Sequence, residues 1–253
     1  MEEEYQKIID FMLVSGKRLV KRTGNIKDIG ITKTDLTEED LAIERGFKEI
    51  INSFEGEHVL FAEEENDIFK SADSIWVVDP ISGTANFIQG KPYYSIVITH
   101  LINHRAVFAA VYHPGVDELF TAYAGKGAFL NGQPIKVSGG NSKIILRSSS
   151  KWEELGLIDK VKESLKNYNL ETNQHSMAIN YCAVACGRYD GIASFSKDSF
   201  PEFAGSLIIY EAGGRFTNIE GENTIKPTDR IFIGGNKNFY DELFPLVKRA
   251  LDK

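Results

Sequence analysis

The chain has 253 residues, 42% of them hydrophobic, and a formal net charge of −7. That length can bury a large core, and no Pro- or Ser-rich linker divides it, so one folding unit is expected over residues 1–253. The acidic balance argues against wholesale binding of nucleic acid or anionic membrane, which needs clustered Lys and Arg to neutralise phosphates.

The opening Met1-Glu2-Glu3-Glu4-Tyr5 is acidic, lacks a basic stretch followed by an apolar one, and no run of 18 apolar residues occurs, so a cytoplasmic protein without membrane spans is expected. Ile8, Ile9, Met12, Leu19 and Val20 give a first helix its apolar stripe. Lys17, Arg18, Lys21 and Arg22 share another face of it, read either as a solvated helix face or as a local basic patch. Thr37, with Asp40 three residues on, caps a second helix carrying Leu41, Phe47, Ile50, Ile51 and Phe54. Apolar runs at Val59-Leu60-Phe61 and Ile75-Trp76-Val77-Val78 predict strands. From Ile75 to Ser138 the chain reads as a meander of strands, with turns at Asn103-His104, Pro114-Gly115, Gly125-Lys126-Gly127 and Asn131-Gly132, hence a mostly antiparallel sheet.

Helices are expected near 152–167, 176–187, 202–212 and 238–251, with strands of a second sheet at Asp190 to Phe195 and Ile231-Phe232-Ile233. This alternation fits a layered α/β or α+β enzyme, with the larger antiparallel sheet in an N-terminal half (about 1–140) and the second sheet in a C-terminal half (about 141–253). Cys182 and Cys186 lie one helical turn apart. With no further Cys or His at metal spacing they read as buried thiols rather than zinc ligands. The five histidines form no compact metal pair.

One stretch carries chemistry. Asp79-Pro80-Ile81-Ser82-Gly83-Thr84-Ala85-Asn86-Phe87 directly follows the Ile75–Val78 strand. The strand delivers Asp79 to its end, Pro80 fixes φ, and Gly83 lets the backbone approach a ligand, while the amides of Gly83 and Thr84 and the Thr84 hydroxyl can point at an anion. Glu63-Glu64-Glu65 supplies a second source of carboxylate. On the residues alone the alternatives are a phosphate and hard-metal corner, or an acidic surface turn beside an ordinary strand-end Asp.

The Asp79–Thr84 stretch resembles the first signature of the inositol monophosphatase family, Asp-Pro-Ile-Asp-Gly-Thr, in which both aspartates bind magnesium. Gly125-Lys126-Gly127-Ala128-Phe129-Leu130-Asn131-Gly132, Gly187-Arg188-Tyr189-Asp190-Gly191 and Glu211-Ala212-Gly213-Gly214 are similar to three further family motifs, so the resemblance covers nearly the whole chain. It implies an α+β fold, an α-β-α-β-α sandwich of the inositol monophosphatase and fructose-1,6-bisphosphatase type. It also implies a homodimer and Mg2+-dependent hydrolysis of inositol phosphate or a similar small phosphomonoester. Glu63 falls at the family's metal-binding Glu, so Glu63, Asp79 and the Ile81 carbonyl are the implied ligands of one ion. Glu63 and Thr84 take the role of orienting the attacking water. Gly83, Thr84, His175 and Ser176 fall on the phosphate and substrate side.

Several positions depart from the family pattern. Ser82 replaces the second aspartate, and Pro201 stands where the metal-binding Asp of the C-terminal signature is expected, preceded by Phe200 in place of Trp. Ser194 replaces a Glu that hydrogen-bonds inositol hydroxyls, and His175-Ser176-Met177 replaces Gly-Ser-Ala. A second ion would lose two of three carboxylates, so one weakened Mg2+ site and weak or lost hydrolysis are expected. Asp198 or Glu202 could substitute as a ligand, while an acid at position 202 is also favoured simply by the helix dipole. His175 could fill the pocket or donate to a phosphate. The alternative function is a non-catalytic protein acting through a protein partner or a phosphorylated ligand, for which a bacterial family member with a reported role in transcription and ribosome biogenesis is a precedent.

Overall fold

The computed structural model describes residues 2–31, 35–65, 68–140 and 143–251. Helix α1 (Glu2–Arg22) and helix α2 (Glu38–Asn52) come first. Strands β1 (Val59–Ala62), β2 (Ser74–Ser82), β3 (Ser95–Ile102), β4 (Arg105–His113), β5 (Glu118–Tyr123), β6 (Gly127–Leu130) and β7 (Gln133–Pro134) follow, with the short helix α3 (Thr84–Ile88) after β2. These seven strands form one sheet in chain order, antiparallel except for the parallel β1–β2 pair. The C-terminal part contains β8 (Lys143–Ser148), α4 (Ser150–Glu154), α5 (Leu157–Ser164), β9 (Asn169–Glu171) and α6 (Met177–Ala185). It continues through β10 (Gly191–Phe195), α7 (Phe200–Glu211), β11 (Arg215–Asn218), β12 (Ile231–Gly235) and α8 (Lys237–Leu251). Its sheet runs β11-β12-β10-β8-β9.

Strand alternation builds the layers. Trp76 and Val78 point to one face of the first sheet, where Ile8, Met12 and Leu19 of α1 and Ile43, Phe47 and Ile51 of α2 cover them. Ile75 and Val77 point to the other face, onto Tyr181 of α6 and Ala204 and Ile208 of α7. The same two helices meet Ile192 and Phe232 of the second sheet, whose far face packs on Ile158, Val161, Leu243 and Val247 of α5 and α8. The order is helix, sheet, helix, sheet, helix, the expected sandwich. Helix α7 touches strands of both sheets.

Four local expectations change. Val20 is exposed and lies outside the α1 stripe, and Phe54 is buried but follows the end of α2. The helix expected near 152–167 is two helices, because Gly156 between them takes φ +68°, a left-handed conformation that ends one and starts the other. The α1 basic face is partly a helix–helix tie: Arg18 Nε donates to Glu39 Oε2 at 2.6 Å and Arg22 Nη1 to Glu39 Oε1 at 3.0 Å, while Lys17 and Lys21 stay in solvent. Cys182 is fully buried and Cys186 half-buried, both as free thiols. The expected boundary between the halves falls at 141–142, outside the described residues.

Candidate active site

Asp79 reaches its position through a defect in the sheet. Pairing of β2 with β3 shifts from Asp79–Val97 to Ser82–Ser95, so three steps on one strand face two on the other. Such a bulge bends the strand and re-aims side chains, and Pro80 sits in it with no N–H to lose from the ladder. The chain then turns at Gly83, with φ +88°. A Cβ there would lie 3.0 Å from the Tyr93 carbonyl oxygen and 3.2 Å from Ser176 Cβ. Gly83→Ala is therefore expected to lower stability by about 1–3 kcal/mol through backbone strain alone, measured as a shift of the urea midpoint; an unchanged midpoint would show that this turn relaxes freely.

Glu63, Asp79, Ile81, Ser82, Gly83, Thr84, His175, Ser176, Asp198, Pro201 and Glu202 all line one cleft of about 450 Å³. Ser194 is fully buried and does not line the cleft, whereas these sequence-derived site residues come together. So do residues that drew no notice in the sequence, Arg147, Lys197, Lys91 and Asp35 among them. A lone Arg in a short strand has no periodicity to mark it.

The acidic side of the cleft is electrostatically uncomfortable. Asp79 is buried, and its carboxyl is pushed well above the usual range, first by desolvation and then by the neighbouring Glu63 and Asp198 carboxylates. A hydrogen bond from Ser82 opposes this only in part. Among the described residues, Asp79 Oδ1 has no hydrogen-bond partner. A buried acceptor facing like charge is unfavourable unless something positive joins it. Oxygen donors suit a hard cation such as Mg2+, and Glu63, Asp79 and the Ile81 carbonyl fit that chemistry as a partial set. Among the described residues, no three His, Cys, Asp or Glu side chains stand close enough to form a ready-made cage.

Thr84 connects this corner to α2. Its hydroxyl lies 2.7 Å from the Ile81 carbonyl oxygen and 3.3 Å from Asp40 Oδ1, so its single hydrogen is shared between two acceptors. Asp40 Oδ2 accepts the Thr37 backbone N–H at 2.8 Å, as the capping pattern predicts, but Asp40 is also fully buried and pushed up to about 7, chiefly by desolvation. The sequence marks Asp40 as a cap and gives no hint of its second contact, 44 residues away. Glu44, one turn later, accepts the backbone N–H groups of Glu64 and Glu65 at 3.0 and 2.9 Å, pinning the acidic turn that carries Glu63.

Glu202 is fully buried in the first turn of α7. Its Oε1 accepts from Tyr181 Oη at 2.8 Å and from the Ser196 hydroxyl, and desolvation together with Asp198 pushes it to about 8. Burial thus favours its protonated form, which neither the dipole reading nor the ligand reading foresees. The sign of its pH effect follows: a carboxyl raised from about 4.5 to about 8 contributes stability in full below pH 4.5 and loses it as pH rises through 8. The unfolding free energy should fall across that window, by up to about 1.4 kcal/mol per pH unit from this group. Glu202→Gln should flatten the fall, measured by urea denaturation at several pH values. Parallel curves for the two proteins would exclude Glu202 as its source.

Beside the Gly83 turn the cleft is lined by the neutral His175 and Ser176. The His175 ring stacks on Tyr93 at 4.1 Å between centroids, and its burial lowers its proton affinity. Ser176 is the N-cap of α6, accepting from the Ile179 N–H at 3.4 Å and sharing a 2.8 Å hydrogen bond with Ser95 Oγ. Its hydroxyl is thus engaged within the protein. Asp198 Oδ1 accepts the Phe200 N–H at 3.3 Å at the start of α7.

Comparison with known proteins agrees with this architecture. The inositol monophosphatase family model matches residues 10–251. A fructose-1,6-bisphosphatase/inositol-1-monophosphatase from Thermotoga maritima is 30% identical over 236 residues, covering 92% of this chain and 87% of that protein. A putative Nus factor SuhB from Neisseria meningitidis is 30% identical over 225 residues, covering 83% and 84%. Among solved structures, the Thermotoga maritima IMPase superimposes with a TM-score of 0.84 at 27% identity, covering 100% of this chain and 99% of that one.

Proposed function

The chain belongs to the inositol monophosphatase family, and from that premise we propose that it binds a small phosphorylated molecule in the cleft and hydrolyses its phosphomonoester weakly. The observation that carries this is the buried, like-charged corner of Asp79, Glu63 and Asp198 with an unpartnered Asp79 Oδ1. Mg2+ is the family's general cofactor, and Glu63, Asp79 and the Ile81 carbonyl are the groups that would hold it. When bound it supplies positive charge against the phosphoryl oxygens and a more acidic water.

The chain's own residues do the rest. Gly83 and Thr84 give the phosphate a close backbone approach at the turn, with Ser176 against Gly83 and His175 next to it. Thr84 donates its proton to Ile81 or Asp40 and keeps oxygen lone pairs to accept from an attacking water, which Glu63 helps to orient. Asp40, titrating near 7, can hold the proton that arrives through Thr84 Oγ1. Weak activity follows from Ser82 and Pro201, which leave a second ion short of charge. Glu202, pushed up by burial and tied to Tyr181 and Ser196, does not supply it. Asp198 is the better substitute, since its charge already acts on Asp79.

A second role has support in the SuhB relatives, which are named as Nus factors: the cleft, or another face, would act through a protein partner without turnover. No described helix is long and apolar enough to cross a membrane. We place either role in a cytoplasmic homodimer whose subunit is one folding body over 1–253, supported by helices α6 and α7 packing between both sheets.

Phosphate release from matched phosphomonoesters, with and without Mg2+, tests the enzyme reading. Release is expected to need Mg2+ and to vanish in Glu63→Gln. Equal release by both proteins would mean contamination and would favour the binding role.

A further inference from the structure

Arg147 sits near the end of β8 and lines the same cleft. Its Nε donates to the His175 carbonyl oxygen at 3.3 Å and its Nη1 to the Ser148 carbonyl. Both acceptors are uncharged. Among the described residues it joins no salt bridge; Glu153, whose charge acts on it, accepts the Ser148 hydroxyl on Oε1 at 2.7 Å. Its register partner on β10, Ser194, is fully buried and bonded to Tyr181 Oη at 2.8 Å, so it offers no countercharge. Desolvation weakens the guanidinium's hold on its proton. A cation placed this way, half out of water and held only by carbonyls, is poorly compensated.

Its position separates it from the metal corner. Asp79 lies on β2 of the first sheet, whereas Arg147 stands on β8 of the second and donates to the carbonyl of His175, the residue before the Ser176 that abuts Gly83. A phosphate bound at Gly83 and Thr84 beside Asp79 therefore leaves Arg147 to meet another part of the substrate. A guanidinium fits a carboxylate or a phosphate through paired N–H donors and has little use for a neutral hydroxyl.

We propose that Arg147 is a specificity residue selecting phosphomonoesters that carry a second anionic group, a further phosphate or a carboxylate, next to His175. This rests on the cleft being a phosphomonoester site. Lys197, exposed at the rim, adds only a diffuse positive field.

Titration calorimetry of the full chain with Mg2+ tests it on pairs that differ by one anionic group: fructose 6-phosphate against fructose 1,6-bisphosphate, and glycerol 3-phosphate against 3-phosphoglycerate. Wild type is expected to bind the doubly anionic member of at least one pair about tenfold or more tightly. Which pair responds separates phosphate from carboxylate. Arg147→Gln should bring the ratio close to one and Arg147→Lys should retain part of it, whereas Lys197→Gln should leave the ratio largely intact. If the Gln variant does not fold, the partial loss in the Lys variant decides. A wild-type ratio near one, or equal weakening of both members by Arg147→Gln, overturns the inference and leaves the phosphomonoester site standing. Binding of no member of either pair overturns the site itself, and the inference with it.

Discussion

Replacing Ser82 and Pro201 together by aspartate is expected to raise Mg2+ affinity and to increase phosphate release by about a hundredfold or more. Both positions line the cleft that holds Asp79, and Pro201 stands in the first turn of α7, where an acid is also favoured by the helix dipole. Either single change should do little, because groups that hold one ion act as a unit. The double variant should also show a second signature. Without a divalent cation it adds like charge to a corner where Asp79, Glu63 and Asp198 already oppose one another, so its melting temperature should drop. With Mg2+ it should recover beyond wild type. A double variant that folds and gains Mg2+-dependent stability, yet hydrolyses nothing, would place the lesion in the substrate wall, where the His175 ring is stacked on Tyr93.

Asp79→Asn should move activity and stability in opposite directions. Any genuine turnover should fall by about a thousandfold or to background, since the change removes a charged ligand. The protein without cation should become more stable, because a buried carboxyl with an unpartnered oxygen and acidic neighbours is replaced by a neutral amide. The sign with pH is fixed. A folded carboxyl raised above its unfolded value loses stability as pH rises, so the advantage of the Asp79→Asn variant should widen from pH 5 to pH 8. Chemical denaturation at those two pH values checks it. A variant less stable than wild type at pH 8 would show that Asp79 is well compensated.

Much of the site was legible because it follows one strand. A continuous apolar run located β2, the Pro and Gly after Asp79 marked the turn, and the cleft then gathered Glu63, Asp79, Ser82, Thr84 and Pro201. What escaped were contacts between elements far apart in sequence. Asp40 reads fully as a helix cap, and nothing local announces Thr84 beside it. Glu202 satisfies the first-turn preference for acids, while its partners Tyr181 and Ser196 lie on a different helix and at the end of a strand. Arg147 follows three apolar residues of β8 and carries no pattern of its own. Strands β9 and β11, of three and four residues, are too short for alternation to declare them. Gly156 broke a helix that the spacing of apolar residues alone would continue.

Helix α7 begins beside the cleft and runs on between the two sheets, in contact with both. Whatever settles at its first turn also braces the middle of the protein. Ligands of the native cleft should therefore announce themselves as thermal shifts, since a compound at 100 times its dissociation constant adds about 2.7 kcal/mol to unfolding. A metabolite library screened by melting temperature, with and without Mg2+, can find the natural occupant before any reaction is known, and it does so equally well for an enzyme and for a silent binder.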